Sequence, residues 1–260
     1  MGMKVAIGVG LMEFPFDNAR EYWRWVDLCE NEGIDSIWQT DRITSRQPNL
    51  EALTAMAALA GGTRRILFGM NVIALALRDP VLVAKQIATI DVLSDGRILP
   101  AFGIGSQFSP DWGAVGVSPE GRGKRTDEAL EIIKRLWSGE QFDFKGEYYE
   151  LEGVRISPTP VQERIPLWIG GSSKAAIRRT ARIGTGWLGG RETPAQAGKV
   201  VERVREIAKS YDRKVPEDHY GGAFYYRFGS PDEAFVADRV QALKRRFPDR
   251  DPLDSIVVGN

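Results

Sequence analysis

The stretch Arg65–Ser106, RILFGMNVIALALRDPVLVAKQIATIDVLSDGRILPAFGIGS, decides the fold of this chain. It contains an apolar run at 66–70, a helical segment that begins near 79, and a second apolar run at 98–102. Short continuous apolar runs are typical of strands that are covered on both faces. The order strand, helix, strand therefore predicts a right-handed parallel crossover.

The helix of this crossover has clear start and stop signals. Asp79 is a side chain that can accept from free N–H groups, and Pro80 suits the first helical position. Gly96 allows the left-handed cap that ends a helix. The spacing predicts one buried apolar face, formed by Val83, Ile87, Ile90 and Leu93.

The segment GMNVIALALRDPVLVAKQIATIDVLSDGRILPAFGIG resembles the luciferase-like monooxygenase superfamily of flavin- or deazaflavin-dependent enzymes. Two later segments strengthen the resemblance: the F-x-G-x-x-Y ribbon near 144–149 and the P-x-W-I-G-G-x-S segment at 166–173. The resemblance implies an α/β fold, a (β/α)8 TIM-type barrel of the bacterial-luciferase type. We expect a single barrel domain over residues 1–260, with an extended loop at 106–123 and a hairpin insertion at 142–160.

The end of the chain leaves two interpretations open. The pattern predicts seven strands before the last apolar segment, Ile256–Val258. Either the last βα unit of the barrel is lacking, or this segment takes its place as a strand. An open barrel would expose unpaired strand edges, which favours the first interpretation.

The composition narrows the classes of function. The chain has 260 residues with 35 basic and 35 acidic side chains, so no nucleic-acid or membrane partner is indicated. A single cysteine, Cys29, excludes an intrachain disulfide framework, and a single histidine, His219, makes a metal site of the His/Cys type improbable. Without a long apolar segment or a leader, we expect a cytoplasmic enzyme.

Asp41 and Arg42 are the candidate catalytic residues. They follow a predicted strand at 35–38, and the carboxyl ends of barrel strands form the catalytic face. The resemblance implies an Asp-His pair here in the deazaflavin branch, whereas this chain has Asp-Arg. The alternative interpretation is a surface Asp–Arg ion pair at the start of a loop.

Two strand ends are candidates for binding the ring of the cofactor. The resemblance implies a cis peptide bond at Asn71–Val72, in a bulge that packs behind the ring; the alternative is an ordinary continuing strand. Gly105 and Ser106, at the Gly-rich tip of the next strand, are also assigned to the cofactor site. The loop at 106–123 is interpreted as one wall of the substrate pocket.

Gly170, Gly171, Ser172 and Ser173 form a candidate phosphate cradle. Glycines allow close backbone approach, and serine hydroxyls at a helix N-terminus add donors to the free N–H groups. Trp187, in the next predicted strand, is a candidate for contact with the cofactor, with core packing as the alternative.

The resemblance implies a flavin-dependent monooxygenase that oxidises a small organic substrate with reduced FMN and O2. A separate flavin reductase or NAD(P)H would supply the reduced flavin, and a homodimer is expected because family members are often dimers. The first alternative is hydride transfer by the deazaflavin coenzyme F420 on the same fold. The second alternative is a non-catalytic flavin-binding protein, and an unrelated aldolase or metal-dependent barrel is disfavoured.

Overall fold

The computed structural model describes residues 5–190, 192–230, 232–246, 248, 251–252 and 256–259. These residues belong to two compact units, Met1–Ile169 and Gly170–Asn260. The single domain over 1–260 stays a prediction.

The first unit alternates strands and helices. Its strands are β1 (Gly8–Leu11), β2 (Ser36–Gln39), β3 (Leu67–Met70), β4 (Ile73–Ala74), β5 (Ile98–Leu99), β6 (Ala101–Gly103), β7 (Phe142–Lys145), β8 (Glu150–Val154) and β9 (Trp168–Gly170), whose last residue belongs to the second unit. Its helices are α1 (Ala19–Asn31), α2 (Ala52–Gly62), α3 (Pro80–Ser94), α4 (Asp111–Ala114) and α5 (Arg122–Trp137), with a 3-10 turn at Leu75–Leu77.

The strands of this unit pair in parallel, as the crossover pattern predicted. The strands β1, β2, β3 and β5 form one sheet in that order, and β6 pairs with both β4 and β9. The predicted strand at 98–102 is thus divided into β5 and β6 at Pro100. Proline has no N–H group to donate to a ladder, and Pro100 contributes only its carbonyl oxygen, which accepts from Trp168 N at 3.0 Å.

The predicted crossover helix is confirmed as α3, although one of the four residues of its predicted buried face is exposed. Asp79 caps it by accepting from Leu82 N at 2.8 Å, and Gly96 follows it with φ +79°. Val83, Ile87 and Ile90 are buried as predicted, but Leu93 is 64% exposed. Leu93 lies ten residues after Val83, and at about 100° per residue it is turned by about 80° from Val83, which carries it out of the buried face.

The hairpin predicted within 142–160 is confirmed, because β7 and β8 pair in antiparallel fashion. The loop predicted at 106–123 carries the short helix α4 and ends at the start of α5.

The second unit continues the alternation. Its elements are α6 (Lys174–Ile183), β10 (Gly186–Gly189), α7 (Pro194–Lys209), β11 (Tyr220–Gly222), β12 (Tyr225–Phe228), α8 (Ala234–Arg246) and β13 (Ile256–Gly259). The strands β10 and β11 pair in parallel, as do β12 and β13. The segment Ile256–Val258 is therefore a strand, as the second interpretation of the last apolar segment required.

Candidate functional site

Asp41 lies directly beyond β2 and is the centre of a buried ion pair. Its Oδ1 accepts from Arg78 Nη2 at 2.7 Å, and its Oδ2 accepts from Arg78 Nη1 at 2.8 Å and from Ala74 N at 3.0 Å. The Asp41 and Arg78 side chains are only 3% and 13% exposed. This carboxylate therefore connects the backbone of β4 to the end of β2. The catalytic role predicted for Asp41 stays a prediction.

The alternative of a surface Asp41–Arg42 pair is wrong, since Asp41 is buried and its partner is Arg78. Arg42 is exposed, and its predicted role beside the cofactor is untested. Burial alone would lower the pKa of Arg78, but the neighbouring charges of Asp41 and Glu51 outweigh it, so that this pKa is raised. Arg78 thus stays charged at neutral pH and well above it.

Sequence reasoning missed Arg78, although a signal for it was present. It is the one charged residue in the otherwise apolar run 72–78, next to the Asp79-Pro80 helix start. An arginine in such a run needs a buried carboxylate as partner, because an unpaired buried charge is costly.

The peptide bond between Asn71 and Val72 is cis, as the resemblance implied. The backbone is held on both sides: Asn71 N donates to Gln39 O at 2.9 Å, and Ala74 N donates to Asp41. The Val72 side chain packs on Gly103, where an added Cβ would lie 2.6 Å from Val72 Cγ2. Asn71 and Val72 are both half-buried, and their contact with a cofactor stays a prediction.

Trp112 holds the predicted tip at Gly105 and Ser106. Its Nε1 donates to Ser106 O at 2.7 Å, and an added Cβ at Gly105 would lie 3.0 Å from its ring. Gly105 has φ +72°, which favours glycine. Trp112 packs in turn against Ala76 and Leu77, so the tip rests on a buried apolar cluster. Sequence reasoning placed Trp112 in the loop but gave it no role.

Asp111 joins two of the loops that follow strands. Its Oδ1 accepts from Thr44 N at 2.8 Å and from Thr44 Oγ1 at 2.6 Å, while its Oδ2 accepts from Ser109 Oγ at 3.0 Å. Burial alone would raise the pKa of Asp111, but these hydrogen bonds outweigh it and lower that pKa below its ordinary value of 3.8. The ionised form of Asp111 therefore stabilises the fold.

We expect Asp111→Asn to make the chain less sensitive to acid. A lowered pKa gives stabilisation that is complete above the ordinary pKa and is lost as the pH falls through the value in the folded protein. The loss of melting temperature on acidification below about pH 4 should therefore be smaller in Asp111→Asn than in the parent. Asp27→Asn, at an exposed position on α1, is the control and should follow the parent curve; parallel curves for all three proteins would contradict the prediction.

In the second unit, Gly171 lies between β9 and α6 with φ +100°. Its carbonyl oxygen accepts from Trp187 Nε1 at 2.9 Å. Ser173 caps α6 by accepting from Ala176 N at 3.2 Å, and Ser172 is exposed. Gly170, which ends β9, is half-buried. The arrangement leaves the Ser172 hydroxyl and the first turn of α6 accessible, which is what an anion-binding helix start requires.

Trp187 is 1% exposed and packs in a core cluster with Ile177, Val200 and Val204. This burial favours core packing over contact with the cofactor, which stays untested. Through its indole N–H, Trp187 fixes the Gly171 backbone instead.

Among the described residues, no group of three or more His, Cys, Asp or Glu side chains is placed to hold a metal ion. None of the helices in the described part of the chain is both long and apolar enough to cross a membrane.

Residues 3–253 match the sequence profile of the luciferase-like monooxygenase family. The chain belongs to that family. An F420-dependent glucose-6-phosphate dehydrogenase of Amycolatopsis mediterranei is 27% identical over 211 residues, which are 76% of this chain and 62% of that protein. An uncharacterised protein of Mycobacterium tuberculosis is 35% identical over 171 residues, 65% of this chain and 58% of its own length. This luciferase-like chain thus spans about six tenths of the curated relatives that it matches.

Solved structures confirm the fold class of this luciferase-like chain. The oxygenating constituent of 3,6-diketocamphane monooxygenase of Pseudomonas putida, solved with FMN, superposes with a TM-score of 0.81 at 16% identity, over 96% of this chain and 78% of that one. An F420-dependent secondary alcohol dehydrogenase gives a TM-score of 0.80 at 20% identity, over 92% and 74%. The fold is of the TIM-barrel type, as predicted.

Proposed function

We propose that this chain binds FMN and belongs to a flavin-dependent monooxygenase that oxidises a small organic substrate. When bound, reduced FMN would supply the electrons with which O2 gives one oxygen atom to the substrate and the other to water. A separate reductase or NAD(P)H would provide the reduced flavin. The observation that carries the proposal is the start of α6, where Ser172 and free backbone N–H groups can receive the FMN phosphate.

Within the first unit, Val72 is a candidate surface for an aromatic ring. Gln39 and Asp41 hold the backbone on the two sides of Val72, and Gly103 supports the Val72 side chain from behind. A branched side chain that is fixed in this way can lie flat against an aromatic ring without further loss of conformational freedom. Asp41 would act as a positioning residue here, and Arg42 would be available to a polar group of the ligand.

Hydride transfer by coenzyme F420 is the second candidate, because several sequence relatives are named as F420-dependent dehydrogenases. Arg42 stands where the resemblance implies a histidine in that branch, and this ranks FMN first. Equilibrium titration with FMN and with coenzyme F420 separates the two candidates: tighter binding of F420 would reverse the order.

We expect FMN to bind more tightly than riboflavin, which lacks the phosphate. Replacing Ser172 and Ser173 together by alanine should weaken FMN binding by about 1–3 kcal/mol, the range for hydrogen bonds to charged groups, and should leave riboflavin binding unchanged. Quenching of flavin fluorescence measures both affinities. Ser172→Ala alone is the control for folding, because Ser173 also caps α6. Equal affinities for FMN and riboflavin in the parent would overturn the phosphate assignment.

A further inference from the structure

The first unit has an open cleft of about 350 Å³ that none of the predicted cofactor residues lines. Its walls come from the turn after β4, the start of α3, the loop 116–118, α5 and Tyr149. Pockets for small molecules begin at about this volume. A ligand in this cleft would therefore be small.

Part of the lining of the cleft is apolar and consists of Ala76, Leu77 and Val117. Ala76 and Leu77 are buried against Trp112, and Val117 packs on the same cluster. Since Trp112 donates to Ser106 O, this wall is continuous with the packing that supports the Gly105–Ser106 tip.

The lining of the cleft also includes Arg125. Its Nη1 donates to Ser118 O at 3.1 Å, and its central carbon lies 5.0 Å from the centroid of the Tyr148 ring. These two contacts fix the plane of its guanidinium group. No carboxylate of the described residues lies within ion-pair distance of Arg125. A planar guanidinium that is held in this way has N–H groups ready for a carboxylate.

The other charged groups of the cleft already have partners. Arg78 is paired with Asp41 and Glu51, and the Asp79 carboxylate accepts from Leu82 N at the start of α3, where a negative charge is favourable. Arg125 is therefore the lining charge that lacks a counterion among the described residues.

Tyr149 adds a neutral donor beside Arg125. Burial raises the pKa of Tyr149 to about 12; the charge of Arg125 lowers it, while the charges of Asp79 and Glu128 raise it. The phenol thus keeps its proton, and Tyr149 lines the same cleft as Arg125. A phenol O–H and a guanidinium together suit the two oxygens of one carboxylate.

We propose that this cleft binds a small organic carboxylate, with its carboxyl group on Arg125 and Tyr149 and its apolar body against Ala76, Leu77 and Val117. None of the lining residues is among those proposed to bind FMN, and the proposal does not depend on that function. A bound apolar body would rest on the Trp112 cluster, which supports Ser106.

Isothermal titration of the full chain with hexanoate, and with hexan-1-ol as the uncharged probe of equal length, tests the proposal. Hexanoate should bind with a 1:1 stoichiometry and hexan-1-ol at least tenfold more weakly. Arg125→Gln should weaken hexanoate binding about tenfold or more, as expected for the loss of a charge-assisted contact. Tyr149→Phe, which keeps the ring, should weaken it by a smaller factor.

Lys124→Gln is the matched control, since it removes one positive charge at the neighbouring exposed position of α5, outside the cleft. It should leave hexanoate affinity within twofold of the parent. Unchanged melting temperatures show that each variant is folded. Hexanoate that binds no better than hexan-1-ol, or equal losses in Arg125→Gln and Lys124→Gln, would overturn the proposal. Displacement of hexanoate by FMN would also overturn it, because the carboxylate would then occupy the flavin site.

Discussion

Asp41→Asn is expected to lower the free energy of unfolding by about 3–5 kcal/mol, the cost of leaving one member of a buried ion pair without its partner. The asparagine can still accept from Ala74 N, so the loss reports the missing charge beside Arg78, which keeps only its partly exposed partner Glu51. Urea unfolding, followed by tryptophan fluorescence, measures the change. Glu147→Gln, which breaks the exposed pair with Lys124, is the control and should give no measurable change.

A double-mutant cycle tests whether the Asp41–Arg78 pair accounts for this loss. Arg78→Met removes the buried cation, and in the double variant with Asp41→Asn neither charge is left unpaired. The double variant should be destabilised by less than the sum of the two single changes. Additive losses would show that the ion pair does not cause the effect.

Asp91→Ala is expected to destabilise the chain by about 3–5 kcal/mol, because it removes a fully buried carboxyl group that accepts three hydrogen bonds. Asp91 is fully buried on α3 and accepts from Val161 N at 2.7 Å, Gln162 N at 3.1 Å and Gln162 Nε2 at 2.6 Å. These bonds fasten the segment before β9 to α3. The free energy of unfolding in urea measures the loss.

Two further variants on α3 serve as comparisons for the loss of stability in Asp91→Ala. Asp91→Asn keeps one acceptor oxygen and should lose less stability than Asp91→Ala. Thr89→Ala removes an exposed hydroxyl that donates to Lys85 O, and should change stability by about 0.5 kcal/mol or less. A loss in Asp91→Ala as small as that in Thr89→Ala would mean that segment 161–162 is held by other contacts.

The same helix shows how far sequence reasoning reaches. Asp79, Pro80 and Gly96 predicted its ends, because capping depends on neighbours along the chain. Its buried face depends on what packs against it, so Leu93 was wrongly predicted to be buried and the buried Asp91 was missed. The partners of Asp91 are about 70 residues away, and no local pattern points to them.

The candidate site was predictable to a similar extent. The strand ends that carry Asp41, Asn71 and Gly171 follow from the alternation of strands and helices, and the resemblance supplied the cis bond. The pairing of Asp41 with Arg78 joins residues 37 apart, and the neighbouring Arg42 suggested a nearer partner. Nearness in sequence is therefore a poor guide to the ion-pair partner of a charged residue that is buried in the folded chain.

The division of one strand at Pro100 has a consequence for the order in which the first unit is made. Each of β2, β3 and β5 pairs with a strand that precedes it in the chain, so the first sheet can be completed during synthesis as soon as Leu99 has emerged. By contrast, β6 pairs on one side with β9, which is synthesised some 65 residues later. Distant pairings are slow to form, so the edge of β6 that contains Phe102 is expected to stay unpaired until β9 has been synthesised. During that time an unpaired strand edge can pair with other nascent chains, so the growing chain would need protection there.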